Sequence, residues 1–276
     1  IFKVADAENE TEILRLTSDI VRVGQILSGS FVRTTLGCKN TQSSTQRSSI
    51  LGGTGNVINT SAHCSVIGGG LSNIICANDC YTVIGGGRSN KADADYAAVL
   101  GGYQNCARGG CSTAVGGHSN DAEGTLAAIV GGCNNTACGH CSFIGGGRNN
   151  SIDVNSSLAT IGGGFTGTIS SGATTEGLTI AGGYNNCIDV SSDDDSYNTI
   201  GGGQNNDILN HNANATIAGG ASNIIKAVTD GDFGSTIGGG AINHILQSDT
   251  VVIGGGCCNI VSGSSDSLIA GGLRNS

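Results

Sequence analysis

The 276 residues contain no proline, no methionine and no tryptophan. Aromatic residues make up 4% and charged residues 12%. Without methionine, the chain reads as a trimmed segment of a longer product. Ten phenylalanines and tyrosines are too few to fill a conventional globular core of this length. Disorder is equally disfavoured, because 38% of residues are hydrophobic and charge is sparse. Proline's absence, and glycine at irregular spacing, exclude collagen. The net charge is −9, with only 12 scattered Lys and Arg. A phosphate-binding surface needs clustered cations, so nucleic acid is not an expected partner. No apolar run approaches the roughly 20 residues of a membrane span, so membrane insertion is not expected either.

What the chain has instead is 49 glycines, and they recur in order. One unit repeats: an apolar residue, a small or apolar residue, Gly-Gly, two variable residues, then Asn. Ile67-Gly68-Gly69-Gly70-Leu71-Ser72-Asn73 and Ile84-Gly85-Gly86-Gly87-Arg88-Ser89-Asn90 show it. Fourteen copies begin between Ile50 and Ile269, spaced by 15 to 20 residues. Thr34 begins a degenerate further copy that ends at Asn40. Gly167 stands where one Asn is expected. A second apolar column lies two residues past the Asn, as at Ile58, Ile75 and Ala92. A third, of Val, Ala, Thr, Phe or Leu, precedes the lead apolar residue.

A period this short holds two short strands and two turns, not a helix pair. Glycine at this frequency also works against helix. The expected fold is all-β: a β-solenoid of about 15 coils over residues 34–276, its strands stacked at about 4.8 Å per coil. Ile67 and Ile84 are expected to point inward. The pairs Gly69-Gly70 and Gly86-Gly87 are expected to allow backbone torsions or approaches that a Cβ would block. Asn73 and Asn90 are expected either to take the left-handed conformation or to satisfy turn backbone in neighbouring coils. Residues 1–33 alternate apolar and charged positions, as in Ile13-Leu14-Arg15-Leu16, and read as a β connector or cap. The apolar column before each lead residue faces out of the coil, which suggests packing against further copies of the chain.

From Val99 to Ile144 the units fall every 15 residues and carry Asn-x-Ala-x-Gly after the glycines, as in Asn105-Cys106-Ala107-Arg108-Gly109. This pattern resembles the repeats of bacteriophage tail-fibre-like proteins. It is more loosely similar to the head repeats of trimeric autotransporter adhesins. Phe2-Lys3-Val4-Ala5-Asp6 is similar to an entry strand of tail-fibre proteins. The resemblance implies a homotrimeric β-roll on a virion or in the extracellular space, touching a host receptor or glycan. Variable stretches at 165–179, 187–198, 207–215 and 226–235 are the expected contact loops.

Candidate chemistry is thin. Cys76 and Cys80, Cys106 and Cys111, and Cys138 and Cys141 span turns between coils and are candidate disulfides. Cys64 with Cys80 is an alternative pairing, and free thiols a further one. Zinc would need His63, Cys64, Cys138, His140 and Cys141 to converge, and only one C-x2-C is present. Asp193-Asp194-Asp195 could hold an ion in a long loop. His118, His211 and His244 read as surface turn residues. No catalytic residue, cofactor or metal is expected, and the chain reads as non-enzymatic. Two other functions fit the repeat. Thr160, Thr179, Thr199, Thr216 and Thr236 form one column, as an ice-binding solenoid would use, and a polysaccharide depolymerase spike could assemble acids between loops.

Overall fold

The computed structural model describes residues 34–43, 47–192, 196–227 and 232–276. The connector expected at 1–33 and the Asp193-Asp194-Asp195 run lie outside the described residues. Among the described residues there is no helix, and most strands are two residues long. They stack as a β-solenoid with one parallel sheet of 15 strands and another of 14. Successive strands serve the two sheets in turn: Val66–Ile67 lies in the larger, Ile74–Ile75 in the smaller, Val83–Ile84 in the larger again. Pairing keeps the repeat in register. Val66 and Ile67 meet Val83 and Ile84, and Ile74 and Ile75 meet Lys91 and Ala92. A third side consists of one bridging residue per coil, running Leu71, Arg88, Tyr103 and onward.

Alternation places the core. Val66 is half-buried and Ile67 buried; Ile74 is exposed and Ile75 buried. The inward columns from the two sheets, Ile67 and Ile84 against Ile75 and Ala92, are fully excluded from solvent. Each buried Ile contributes about 1.5–3 kcal/mol relative to exposure. Coil length and core volume go together. The 15-residue coils bury Ala107, Ala122 and Ala137 on the smaller sheet and Ala97 and Ala127 at the turn. The longer coils bury Ile152, Ile169 and Ile188, together with Leu178 and Val190. The buried apolar residues divide into two clusters, one reaching Ala114 and one starting at Ala122, where the core is narrowest.

The Asn column joins the coils. The Asn73 Nδ2 donates to Gly69 O at 2.9 Å in its own turn and to Gly87 O at 3.0 Å in the next coil. Its Oδ1 accepts the Asn90 N–H at 3.0 Å, and its own N–H donates to Asn56 Oδ1 at 2.9 Å. Asn90 repeats the pattern with Gly86, Gly102 and Asn105. Both are buried. At the gap, Gly167 N–H still donates to Asn150 Oδ1, at 2.8 Å.

Of the two readings of this column, backbone satisfaction is the one observed. The left-handed residue is the one before each Asn, such as Ser72 and Ser89, both at φ 56°. The glycine pair divides its work too. Gly70 has φ +91°, and a Cβ there would lie 2.1 Å from Gly87 O; Gly87 repeats this against Gly102. At Gly86 a Cβ would meet nothing within 4 Å, and at Gly69 only Gly52 C at 3.9 Å. The first coil differs from the expectation by one residue. Thr35, not Thr34, pairs with Ile50, because Gly37 alone stands where later coils have Gly-Gly.

Two stability changes follow from this geometry. Asn73→Ala orphans the buried Asn90 N–H and is expected to cost about 2–3 kcal/mol in chemical unfolding. Ile242 is β-branched yet sits at φ 56° on an exposed turn. Ile242→Asn is expected to stabilise the chain by about 1 kcal/mol, since Asn tolerates that region. An unchanged unfolding midpoint in either variant contradicts the assignment.

Candidate functional site

The outer faces of the solenoid's two large sheets differ in charge. The outer face of the larger sheet is formed by the residues flanking each inward lead residue. One column runs Val66, Val83, Ala98, Thr113, Ala128, Phe143; its neighbour includes Leu51, Leu100, Val115 and Val130. Neither column contains a charged residue in any coil. Several members are open to solvent, with Leu51 54%, Leu100 52% and Leu268 71% exposed. Thr160, Thr179, Thr199, Thr216 and Thr236 pair in register on this face.

The smaller sheet carries charge and thiols outward. Lys91 Nζ pairs with Asp93. Arg108 pairs with Asp121 in the same sheet and with Glu123 at 2.6 Å. Cys138 Sγ donates to Glu123 Oε2 at 3.2 Å. Burial, then the Glu123 carboxylate, pushes the Cys138 thiol up to about 12. Burial, then Asp207 and Asp189, does the same to Cys187. Thiols held protonated in this way are poor nucleophiles and poor metal ligands. Burial also pushes Asp121 up to about 6, although Arg108 favours its ionised form. One Asp121 oxygen, Oδ1, is buried without a hydrogen-bond partner, which is why desolvation prevails.

Among the described residues, three groups come within ligating distance of one another: Cys76, Asp79 and Asp93, whose ligand atoms lie within 4.8 Å. Asp79 Oδ2 is buried and has no hydrogen-bond partner. Against cation binding, Lys91 already occupies Asp93, and burial followed by Asp93 pushes the Cys76 thiol up to about 11. The set offers three donors rather than the four of a closed structural zinc site. His63, Cys64, Cys138, His140 and Cys141 do not form such a group among the described residues.

None of the candidate disulfides is formed in this structure. All 12 cysteines are free, including Cys76, Cys80, Cys106, Cys111, Cys138 and Cys141. Their thiols turn to other partners. Cys80 Sγ reaches Ser61 O at 3.6 Å, Cys106 Sγ lies 3.9 Å from Arg108 Nη2, and Cys138 meets Glu123. Cys64 is free as well.

The long coils are also more ordered than loops. Thr168–Ser171 pairs along its length with Cys187–Val190. Ser156–Ser157 pairs with Thr175–Glu176, and Asn212–Ala213 with Asp232–Phe233, forming two small extra sheets. The variable stretches at 165–179 and 207–215 are therefore largely strand-bearing, and 187–198 and 226–235 extend partly outside the described residues. His118 stands in the third-side ladder and His244 in a strand, rather than in turns. That ladder went unread in the sequence because each coil places a different residue there. Its only signal was the run Arg88, Tyr103, His118, Cys133, Arg148, Phe165 and Tyr184, nearly all planar side chains two positions before the Asn.

A pH dependence of stability follows from Asp121. Its folded value of about 6 exceeds the ordinary 3.8. The stability it contributes is complete below the ordinary value and is lost as pH rises through about 6. Asp121→Asn is expected to flatten the change in thermal midpoint between about pH 4 and about pH 7; an unaltered slope contradicts the assignment.

Among the described residues no helix is long and apolar enough to cross a membrane. No protein-family model matches the chain, and no curated protein matches it significantly.

Proposed function

We propose that the chain is a structural rod of a surface fibre or adhesin, non-enzymatic, assembled as a homotrimer and displayed on a virion or outside the cell to touch a host receptor or glycan. The observation that carries this reading is the uncharged outer face of the larger sheet, continuous through every coil. A monomer gains nothing from keeping such a face free of Lys, Arg, Asp and Glu over 15 strands. Its apolar stretch from Leu51 through Val83, Leu100, Val115 and Val130 to Phe143 is exposed surface of the kind that marks an interface. Identical copies bury it most simply by closed symmetry, while the charge-bearing opposite face stays in water. The repeat's resemblance to trimeric fibres sets the expected number at three. The reading applies alike to a phage fibre, a eukaryotic viral fibre or a cellular adhesin.

The Thr ladder supports a second reading, an ice-binding face. It is a single column, though. Its neighbours on the same face are Gly162, Ala181, Gly201, Ala218 and Gly238, which add no second row of hydroxyls. Thermal hysteresis in a freezing assay decides it, and none is expected. The depolymerase reading rests on no comparable observation.

Light scattering on the purified chain is expected to return three chain masses. Val115→Lys combined with Val130→Lys places charge on adjacent coils of the uncharged face. That variant is expected to dissociate to monomer while keeping its β circular dichroism. A wild-type monomer, or a trimer indifferent to both lysines, contradicts the reading.

A further inference from the structure

We infer that the third side of the solenoid, the single-residue ladder between the two large sheets, is a docking surface for an extended anionic polysaccharide. The inference deepens the attachment reading and rests on it for its biological role, but it moves the contact surface from the long coils to this edge.

From Arg88 to His118 and again from Arg148 to Tyr184 the ladder is a stack of planar side chains. Arg88 lies over the Tyr103 ring, 5.4 Å from its centroid. Tyr103 stacks on His118 at 5.0 Å, and His118 Nδ1 lies 3.7 Å from Cys133 Sγ. Arg148 lies over Phe165 at 5.6 Å. These contacts hold long side chains still, so less freedom is lost when a ligand binds. The stacked faces are occupied, and the groups left to bind a ligand are the N–H and O–H donors of Arg88, Tyr103, His118 and Arg148.

This edge excludes acids. In every coil, from Cys38-Lys39 to Leu273-Arg274, the ladder residue and its successor include no Asp or Glu. The chain as a whole carries −9. Among the described residues the ion pairs engage Lys91 and Arg108, whereas Arg88 and Arg148 have no acidic partner. Arg88 and Arg148, without acidic partners on an acid-free edge of an acidic body, draw anions to that edge.

Spacing selects the kind of anion. Arg88, His118 and Arg148 stand two coils apart in the ladder. At ~4.8 Å per coil this places a donor group every ~10 Å along a straight line. One coil is close to the length of one sugar in an extended glycan, and two coils to a disaccharide. A linear polysaccharide with a carboxylate or sulfate on alternate sugars thus meets a cation or imidazole at each acidic residue. Charge-assisted hydrogen bonds from planar guanidinium suit both groups. Single-stranded nucleic acid fits less well, because its binding relies on free aromatic faces for base stacking, and here the faces are occupied.

The test uses the full chain and immobilised hyaluronan, an alternating uronate and N-acetylhexosamine polymer, with neutral dextran and poly(dT) alongside. Wild type is expected to bind hyaluronan, to bind dextran undetectably, and to release hyaluronan as salt rises. Arg88→Gln with Arg148→Gln is expected to weaken binding by about tenfold or more. Lys226→Gln, a cation on the smaller sheet, is expected to leave it unchanged. Circular dichroism and light scattering of each variant check that fold and assembly persist. Equal binding to dextran, tighter binding to poly(dT), no binding, or indifference to the double substitution overturns the inference. A trimer that ignores hyaluronan contradicts this inference alone. A monomer that binds it through Arg88 and Arg148 contradicts the fibre reading alone.

Discussion

The structure depends on one side chain doing three things at once. Asn73 closes its own turn through Gly69 O, reaches into the next coil at Gly87 O, and accepts that coil's Asn90 N–H. A two-residue strand cannot hold a parallel sheet together alone, since it supplies too few ladder bonds. The buried amide adds bonds where the strands have stopped. It can do so only because the chain turns sharply beside it. Gly70 supplies the left-handed conformation and the missing Cβ that let Gly87 O approach. Asn and the second Gly are therefore one device, and the aliphatic columns pack against a backbone that this device has already spaced.

That constraint leaves the rest of each coil free to vary, and the variation is sorted by direction. Inward positions on the two sheets vary in size, from Ala122 in short coils to Ile188 in long ones, and the buried turn position alternates between apolar and polar, as at Ala97, Ser112 and Ala127. Outward positions on the larger sheet vary within uncharged residues. Outward positions on the smaller sheet vary through Ile74, Lys91, Asp121, Ser151 and His244. Three sides of one scaffold thus acquire different chemistry without disturbing the stacking. An uncharged face for like copies, a charged face for water and a donor-rich edge for a ligand are compatible because each residue's direction is set by its place in the coil. A protein whose coils interact only with their neighbours can extend such faces without changing its design.

Much of this was legible in the sequence, for a physical reason. Columns that require one kind of residue, aliphatic at Ile67 and Ile84 in the core and Asn at Asn73 and Asn90 in the clamp, repeat visibly because a polar core residue or an orphaned amide is costly. What was hidden lies where the requirement falls on the backbone or on direction. The left-handed residue before each Asn is Ser72, Gln104 or Ile242, so no type betrays it. The glycines of Gly69-Gly70 look alike, yet only the second is forced. Cysteines four residues apart in Cys76 and Cys80 suggest a bridge, but spacing does not say where Sγ points, and the thiols face Asp93 and Ser61. The stacked edge was hidden because Arg88, Tyr103 and His118 share planarity and not identity.

The most direct test of the clamp is hydrogen exchange of the asparagine side-chain amides, followed by NMR along the whole rod. If the Asn column joins the coils, the Nδ2 protons of Asn73, Asn90, Asn105 and Asn120 exchange only with global unfolding. Exposed amides such as Asn78 exchange at once. Exchange of the column amides at the rate of exposed ones would contradict the account, for it would mean that the coils are held by their aliphatic packing and that the buried asparagines are passengers.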